Sequence, residues 1–152
     1  MTINIRRVVT GHDTHGKAIV RIDDVGAHVA SGRPNMTRQL IWTTTDLPVH
    51  FTEDGADKGA REIGTTIRNG SVFRVIEFEP GVAPRNHRTD SIDYAVVMSG
   101  EIDMEMDATV VHLKAGDVLV QRGTIHNWVN NGRAPCVIAF ILISSDGNTA
   151  LG

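Results

Sequence analysis

The stretch from residue 81 to residue 130 constrains the fold of this chain more than any other part of the sequence. It contains two blocks in which glycines separate runs of strand-forming residues, and each block carries one histidine, His87 in the first and His126 in the second. Strand-length runs separated by glycine turns are typical of antiparallel β-structure. Polar side chains at matching positions beside those turns predict a small β-barrel with a site in its interior.

The two blocks resemble the paired sequence motifs of the cupin superfamily. The positions that match are Gly81, His87, Gly100, Gly116, Gly123, His126 and Asn130. The chain departs from the family pattern at Thr89, where the motif has a second histidine, at Asp93, where it has glutamate, and at Gln121, where it has proline. The resemblance implies an all-β fold with a single antiparallel barrel of the jelly-roll type. It leaves the reaction open, because one fold hosts many chemistries.

Alternating apolar and polar residues predict roughly six to ten antiparallel strands. Strands at 3–10 and 17–23 form an N-terminal β-hairpin extension upstream of the barrel motifs. We therefore predict one structural domain with three parts. Residues 1–70 supply N-terminal strands and a loop that pack on the barrel, residues 71–145 form the barrel core with both motifs, and residues 146–152 form a loose tail.

Three segments without a regular period need separate interpretation. Residues 24–37 are rich in glycine, serine, proline and asparagine, which predicts a loop. The polar segment 46–70 is either a mobile loop at the barrel mouth or a surface excursion. Residues 135–144 form an apolar run, which predicts a closing strand that is buried on both faces.

Composition and charge exclude several classes of protein. With 152 residues, of which 41% are hydrophobic and 22% charged, the chain has the size and balance of one soluble globular domain. A net charge of −3 gives no basic footprint for nucleic acid, and no apolar run is long enough to predict a membrane span or a secretory signal. The single cysteine, Cys136, excludes an internal disulfide, so we expect a cytoplasmic protein.

The cupin resemblance implies a metal centre on His87, Asp93 and His126, whose family counterparts meet near the barrel axis. Two imidazoles and one carboxylate leave coordination positions open for water or substrate, and such a set suits divalent iron, manganese, nickel or zinc. Aspartate is shorter than the family's glutamate, so the ligand set is completed in one of three ways. The backbone of Asp93 lies closer to the metal, a water molecule bridges its carboxylate and the metal, or the neighbouring Asp90 takes its place as the ligand. Asp90 could also orient a ligand imidazole, and Thr89 either holds a metal-bound water or fills space.

Further residues are candidates for the substrate pocket. Trp128 is either a wall against a planar substrate or a core residue. Arg85 either attracts an anionic substrate at the barrel rim or is solvated. Arg74 and Glu77 interrupt the apolar faces of one predicted strand. The sequence favours a place in water at a strand end for each of them, with one pointing into the barrel as the alternative.

The function that the resemblance implies is a metal-dependent small-molecule enzyme, with Asp90 and Thr89 as candidate catalytic side chains. The metal would act as a Lewis acid on a small oxygenated or carboxylated substrate, in lyase, decarboxylase, dehydratase or isomerase chemistry. With iron, the same site would support a dioxygenase. The alternatives are a non-catalytic cupin that binds a small ligand, and a metal-free pocket with hydrogen-bonded core histidines. A homodimer through the N-terminal hairpin is the family expectation.

Overall fold

The described part of the chain consists of strands and their connections, and in this computed structural model it comprises residues 3–52 and 55–147. The strands, in chain order, are β1 (Arg6–His12), β2 (Ala18–Val25), β3 (Val29–Ser31), β4 (Met36–Thr44), β5 (Ser71–Phe78), β6 (Ser91–Ser99), β7 (Glu101–Glu105), β8 (Val110–Lys114), β9 (Val118–Arg122), β10 (Asn127–Val129) and β11 (Cys136–Ser144). These residues contain no helix, which confirms the predicted all-β class. The same residues accordingly offer no helical segment suited to crossing a membrane.

Two antiparallel sheets enclose a common core. The larger sheet has the strand order β3-β4-β5-β11-β6-β9, and the smaller has the order β10-β7-β8. Inward side chains of both sheets belong to one apolar cluster, with Phe78 and Ile138 from the larger sheet and Ile102, Met104 and Trp128 from the smaller. Alternate side chains of a strand point to the same face, so period-two patterning in each sheet produces this shared interior. The predicted single antiparallel barrel is confirmed as two facing sheets around one core.

The predicted N-terminal hairpin forms a separate two-stranded sheet, in which β1 pairs with β2. Close to it, Ile3 and Val75 belong to a second apolar cluster on the outer side of the larger sheet. The guanidinium of Arg7 ties the hairpin to the segment after β4, because it donates hydrogen bonds to the carboxylates of both Asp24 and Asp57. The N-terminal residues therefore cover part of the outer face of the larger sheet.

Strand β11 lies between β5 and β6 in the larger sheet and lines its interior with buried side chains. On the outer face, the second apolar cluster reaches Val137 and Ala139, whereas Ile141 is 37% exposed. The prediction that this apolar run is buried on both faces is therefore wrong at Ile141. The reason is that the N-terminal cover ends before it reaches that part of the strand.

The prediction of a loop at residues 24–37 also needs correction. This segment contains the end of β2, all of β3 and the start of β4. Strands β3 and β4 pair across a short connection in which Asn35 has a positive φ of 62°, a conformation that asparagine tolerates in turns. With these short strands the described residues contain eleven strands, more than the alternation predicts.

Outside the strands, the structure describes most of the predicted long connection but little of the predicted tail. Residues 46–52 and 55–70 form no strand, which fits the predicted long connection. Ile63 and Ile67 from this connection pack against the main core, so the segment is attached to the barrel and lies near its interior. Residues 148–152 of the predicted tail lie outside the described residues.

Candidate functional site

A cavity of about 300 Å³ lies between the two sheets and contains most of the residues that the sequence singles out. The predicted site residues that line it are Arg74, Arg85, His87, Thr89, Asp93, His126 and Trp128. A neighbouring cavity of about 650 Å³ shares Arg38 and Arg74 with it but contains neither His87 nor His126. We therefore assign the chemistry to the smaller cavity.

Backbone pairing brings the two motif histidines together. The N–H of His87 donates to the carbonyl of His126 at 3.0 Å, and the N–H of His126 donates to the carbonyl of His87 at 2.9 Å. The two ring centroids are 4.5 Å apart. Because His87 precedes β6 and His126 precedes β10, this small bridge joins the larger sheet to the smaller one.

Each imidazole is held in one tautomer by a backbone carbonyl. Nδ1 of His87 donates to the carbonyl of Arg85 at 2.9 Å, and Nδ1 of His126 donates to the carbonyl of Thr124 at 2.8 Å. A carbonyl only accepts, so the Nδ1 atoms carry the proton and the Nε2 atoms keep a free lone pair. Burial lowers the pKa of His87 and lowers the pKa of His126 to about 4, so both rings are neutral near pH 7.

Asp93 is held by hydroxyl groups. Thr89 Oγ1 donates to Asp93 Oδ2 at 3.1 Å, and the hydroxyl of Ser91 donates to Oδ1. Burial raises the pKa of the Asp93 carboxyl, while the two hydroxyl hydrogen bonds and the charge of Arg74 act in the opposite direction. Thr89 thus contacts the carboxylate that replaces the family's glutamate, and it fixes that carboxylate in the cavity wall.

The side chains match only part of the predicted metal centre. The free Nε2 atoms of His87 and His126 are suitable donors for a divalent metal. Catalytic zinc sites, however, have three protein ligands. Among residues 3–52 and 55–147, no set of three or more His, Cys, Asp or Glu side chains is arranged to hold a metal ion. As they are arranged, the residues therefore do not form the three-ligand set implied by the family motif.

Arg74 and Glu77 are both buried, which corrects the expectation that each lies in water at a strand end. Arg74 is 8% exposed and faces the cavity, and Glu77 is 1% exposed on the other face of β5. The reason is that β5 is an interior strand between β4 and β11, with the cavity on one face and the N-terminal cover on the other. Burial lowers the pKa of Arg74 to about 10, and burial raises the pKa of Glu77.

Asp90 lies outside the cavity, so the structure does not support its predicted role there. Asp90 is exposed, and its backbone carbonyl accepts a hydrogen bond from the N–H of Ser145 at 3.1 Å. The orienting partner of His87 is the carbonyl of Arg85, which does what was expected of the Asp90 carboxylate. The site therefore uses a main-chain oxygen where the sequence suggested a side chain.

The sequence does not identify several of the residues that line the cavity. Arg33 and Arg38 belong to the segment predicted as a loop and to the strand that follows it, and both line the cavity. Phe78 and Phe140 form apolar wall together with Trp128, whose ring centroid lies 5.8 Å from each of theirs. Strand parity could have placed Phe78 with Arg74, since the two share a face of β5. No local signal marks Arg33, because its position depends on how a loop folds back.

Comparison with known proteins identifies the class. Residues 74–143 match the family model described as a cupin domain. The cupin-domain-containing oxidoreductase fogC of Aspergillus ruber is 35% identical over 144 residues, which cover 90% of this chain and 71% of fogC. The phomopsin biosynthesis cluster protein C' of Diaporthe leptostromiformis is 38% identical over 133 residues, which cover 82% of this chain and 69% of that protein. The chain belongs to the cupin family, as its motifs predict.

Solved structures agree on the fold. A conserved protein of Klebsiella pneumoniae with a double-stranded β-helix domain matches with a TM-score of 0.53 and 22% identity, over 80% of this chain and 87% of that one. KdgF from Halomonas sp. matches with a TM-score of 0.51 and 17% identity, over 78% of this chain and 89% of that one. At such identities the likeness concerns the fold alone.

Proposed function

We propose that this cupin is an enzyme of small-molecule biosynthesis that acts through the His87–His126 pair on a small oxygenated substrate in the barrel cavity. The observation that carries the proposal is the pair of Nδ1-anchored imidazoles, whose Nε2 lone pairs are free in the same cavity. The names of the relatives support an enzymatic role, since fogC and virC are called oxidoreductases and others are called biosynthesis cluster proteins.

Proton transfer next to a carbonyl group is the chemistry that these residues can perform themselves. The free Nε2 of one imidazole accepts a proton from a substrate carbon, and the electron pair of the broken C–H bond moves onto the carbonyl oxygen. The cationic cavity wall, with Arg74 and Arg85, stabilises the negative charge on that oxygen. Return of the proton to another carbon completes an isomerisation, and its transfer to a departing hydroxyl completes a dehydration. Neither outcome requires an oxidant.

Hydrogen–deuterium exchange tests this proposal without knowledge of the natural product. Small ketones and 2-oxo acids are incubated with the protein in D2O, and loss of the C–H signal next to the carbonyl is followed by proton NMR. We expect exchange above the buffer rate, and a loss of at least about 100-fold in His87→Gln and His126→Gln. The matched control is His112→Gln, since His112 is an exposed histidine paired with Asp103 on the surface. Exchange that persists in both cavity variants would contradict the proposal.

The free Nε2 atoms also favour a second candidate, a metal-dependent enzyme in which His87 and His126 bind divalent iron, manganese, nickel or zinc. Asp93 would complete this ligand set only after turning away from its hydrogen bonds with Thr89 and Ser91. A bound metal would supply Lewis acidity for lyase, decarboxylase, dehydratase or isomerase chemistry, and iron would allow a dioxygenase. Elemental analysis of the purified protein beside His87→Ala separates the candidates. Near-stoichiometric metal in the parent and none in the variant would support the second. Exchange catalysis by protein treated with chelator would support the first.

The expected homodimer remains a prediction, and exposed apolar side chains indicate where a second copy could bind. Val8 and Val20 are exposed on the hairpin, and Val118 and Val120 are exposed on β9. Light scattering on size-exclusion fractions of Val20→Lys and Val118→Lys tells the two surfaces apart. If the hairpin forms the interface, Val20→Lys is monomeric and Val118→Lys stays dimeric. A monomeric parent protein would contradict the prediction.

A further inference from the structure

The cavity has a cationic wall whose arginines outnumber its carboxylates. Its lining includes four arginines, Arg33, Arg38, Arg74 and Arg85, and one carboxylate, that of Asp93. Within the described ranges, none of the four guanidinium groups forms a salt bridge. The oxygens of Asp93 already accept hydrogen bonds from Thr89 and Ser91. The wall therefore has positive charge to offer to a ligand.

Two of these guanidinium groups carry buried donors without an acceptor. Nε of Arg74 and Nη2 of Arg33 are buried and have no hydrogen-bond partner in the part of the chain that the structure describes. Each group is nevertheless held by other atoms: Nη2 of Arg74 donates to the carbonyl of Gly64 at 2.9 Å, and Nε of Arg33 donates to that of Ala83 at 2.7 Å. Buried polar groups in folded proteins almost always have partners. Two anchored guanidinium groups with unpaired donors therefore belong to the lining of one cavity, which favours a ligand that carries acceptor oxygens.

The rest of the cavity is apolar and aromatic. Trp128, Phe78 and Phe140 lie in its wall, accompanied by aliphatic side chains. The guanidinium carbon of Arg33 lies 6.0 Å from the centroid of the Phe78 ring, so the cationic and apolar parts adjoin. A volume of about 300 Å³ admits only a small molecule. A fitting ligand has one anionic group and a compact, flat apolar body.

We infer that the cavity binds a small organic acid, with the carboxylate on Arg33 and Arg74 and the apolar body against Trp128, Phe78 and Phe140. The planar guanidinium matches a carboxylate with paired hydrogen bonds, which makes this anion the best fit to the free donors. Arg85 and Arg38 add long-range attraction from the same cavity wall. The inference rests on the proposed function in one respect, namely that the bound acid is what the His87–His126 pair acts on.

Matched acids and amides test the inference by binding alone. The probes are benzoate and cinnamate with benzamide and cinnamamide as neutral analogues of the same shape, and inorganic phosphate as an anion without an apolar body. Titrations of the full chain are followed by tryptophan fluorescence and by ligand-observed NMR. We expect the acids to bind roughly tenfold to a hundredfold more tightly than their amides, and added salt to weaken only the acids.

Arginine variants locate the site. Arg74→Met and Arg33→Met should each remove most of the preference for acid over amide, whereas Arg122→Met, which changes an exposed arginine outside the cavity, should keep it. Melting temperatures show whether each variant is folded, and Arg85→Met replaces a variant that is not. Equal binding of acid and amide, unchanged acid binding in the folded variants, tighter binding of phosphate, or no binding of either acid would each overturn the inference.

His126→Gln separates this inference from the proposed function. The variant keeps all four cavity arginines, so acid binding should remain while exchange catalysis is lost. Acid binding by a protein that shows no catalysis would leave the anion site standing and refute the enzyme. Catalysis on neutral ketones without acid binding would do the reverse.

Discussion

Arg7 and Arg74 are buried to a similar degree, at 4% and 8% exposure, yet their surroundings are opposite. The Arg7 guanidinium binds the carboxylates of Asp24 and Asp57, and these hydrogen bonds raise its pKa. Among the described residues, the Arg74 guanidinium donates hydrogen bonds to backbone carbonyls alone, and burial lowers its pKa to about 10. One buried cation forms salt bridges with two carboxylates, and the other forms none within the described residues and lies beside a cavity.

The difference separates a structural role from a ligand-binding role. The Arg7 cluster, formed by Arg7, Asp24 and Asp57, joins the hairpin to the segment after β4 and has no need of a ligand. Arg74 forms no salt bridge with a described residue, although a buried charge without a direct partner lowers stability. Groups with perturbed pKa values that lie in a cavity are candidates for function, and stability is often lower at such sites. Substitutions in the two regions should therefore have opposite effects.

The largest effect on stability is expected for Arg7→Met, which leaves two carboxylates without their partner. We expect a loss of about 3 kcal/mol in the free energy of unfolding. The side chains of Asp24 and Asp57 are 35% and 26% exposed, so water compensates part of the loss. Urea denaturation measures the change, with Arg6→Met as a control because Arg6 forms an exposed pair with Asp23. A loss as small as that of the control would mean that the Arg7 cluster is not a structural anchor.

As the pH falls, the stability that His126 contributes should be lost before the stability that the Arg7 cluster contributes. His126 is 3% exposed, and its folded pKa of about 4 lies below the ordinary value of 6.5. Its neutral burial therefore stabilises the fold fully above pH 6.5, and this contribution is lost as the pH falls towards 4. By linkage the loss between pH 7 and pH 5 is about 2 kcal/mol. Asp57, whose pKa is lowered chiefly by Arg7, contributes stability until the pH falls below its ordinary value of 3.8.

Unfolding free energies at several pH values, for the parent and for His126→Gln, check the acid effect. The difference between the two proteins isolates His126, because Asp93 is common to both and its raised pKa acts in the opposite sense. We expect the stability difference between the parent and the variant to shift by about 2 kcal/mol against the parent on going from pH 7 to pH 5. Parallel pH profiles would show that the burial of His126 has no such energetic consequence.

The smallest effect on stability is expected for Arg74→Met. Removing a buried charge that has no salt bridge and keeping the volume should leave the free energy of unfolding unchanged or raise it by up to about 1 kcal/mol. Thermal and urea denaturation beside Arg7→Met measure the contrast directly. If Arg74→Met destabilises the protein as much as Arg7→Met does, Arg74 is a structural residue, and the distinction between the two arginines fails.

Local patterns in the sequence reach the strands and the motif positions. Glycine spacing and alternation indicate the hairpin of β1 and β2 and the strands around the motifs, and the cupin resemblance implies the meeting of His87 with His126. Period two within a strand shows which side chains share a face, but not which strand lies beside it. Arg74 and Glu77 illustrate the limit, since the neighbours of β5 are β4 and β11 from distant parts of the chain.

The cationic wall depends on pairings that no local pattern records. Strand β4 pairs with β5 so that Arg38 lies opposite Ile76. Ile76 is the next residue after Arg74 on the face of β5 that lines the cavity. Arg33 and Arg85 reach the same cavity from connections outside the strands. The prediction for Asp90 is wrong for a related reason. Its sequence distance from His87 suits an orienting role, but Nδ1 of His87 already donates to the carbonyl of Arg85.

The reciprocal backbone hydrogen bonds between His87 and His126 give the site an all-or-none character. A fluctuation that breaks this bridge parts the two sheets locally and moves the backbones of both histidines at the same time. Their amide protons should therefore exchange with solvent at a common rate, set by one opening event. A ligand that contacts both rings would slow both amides together, which makes these two signals a direct report on cavity occupancy.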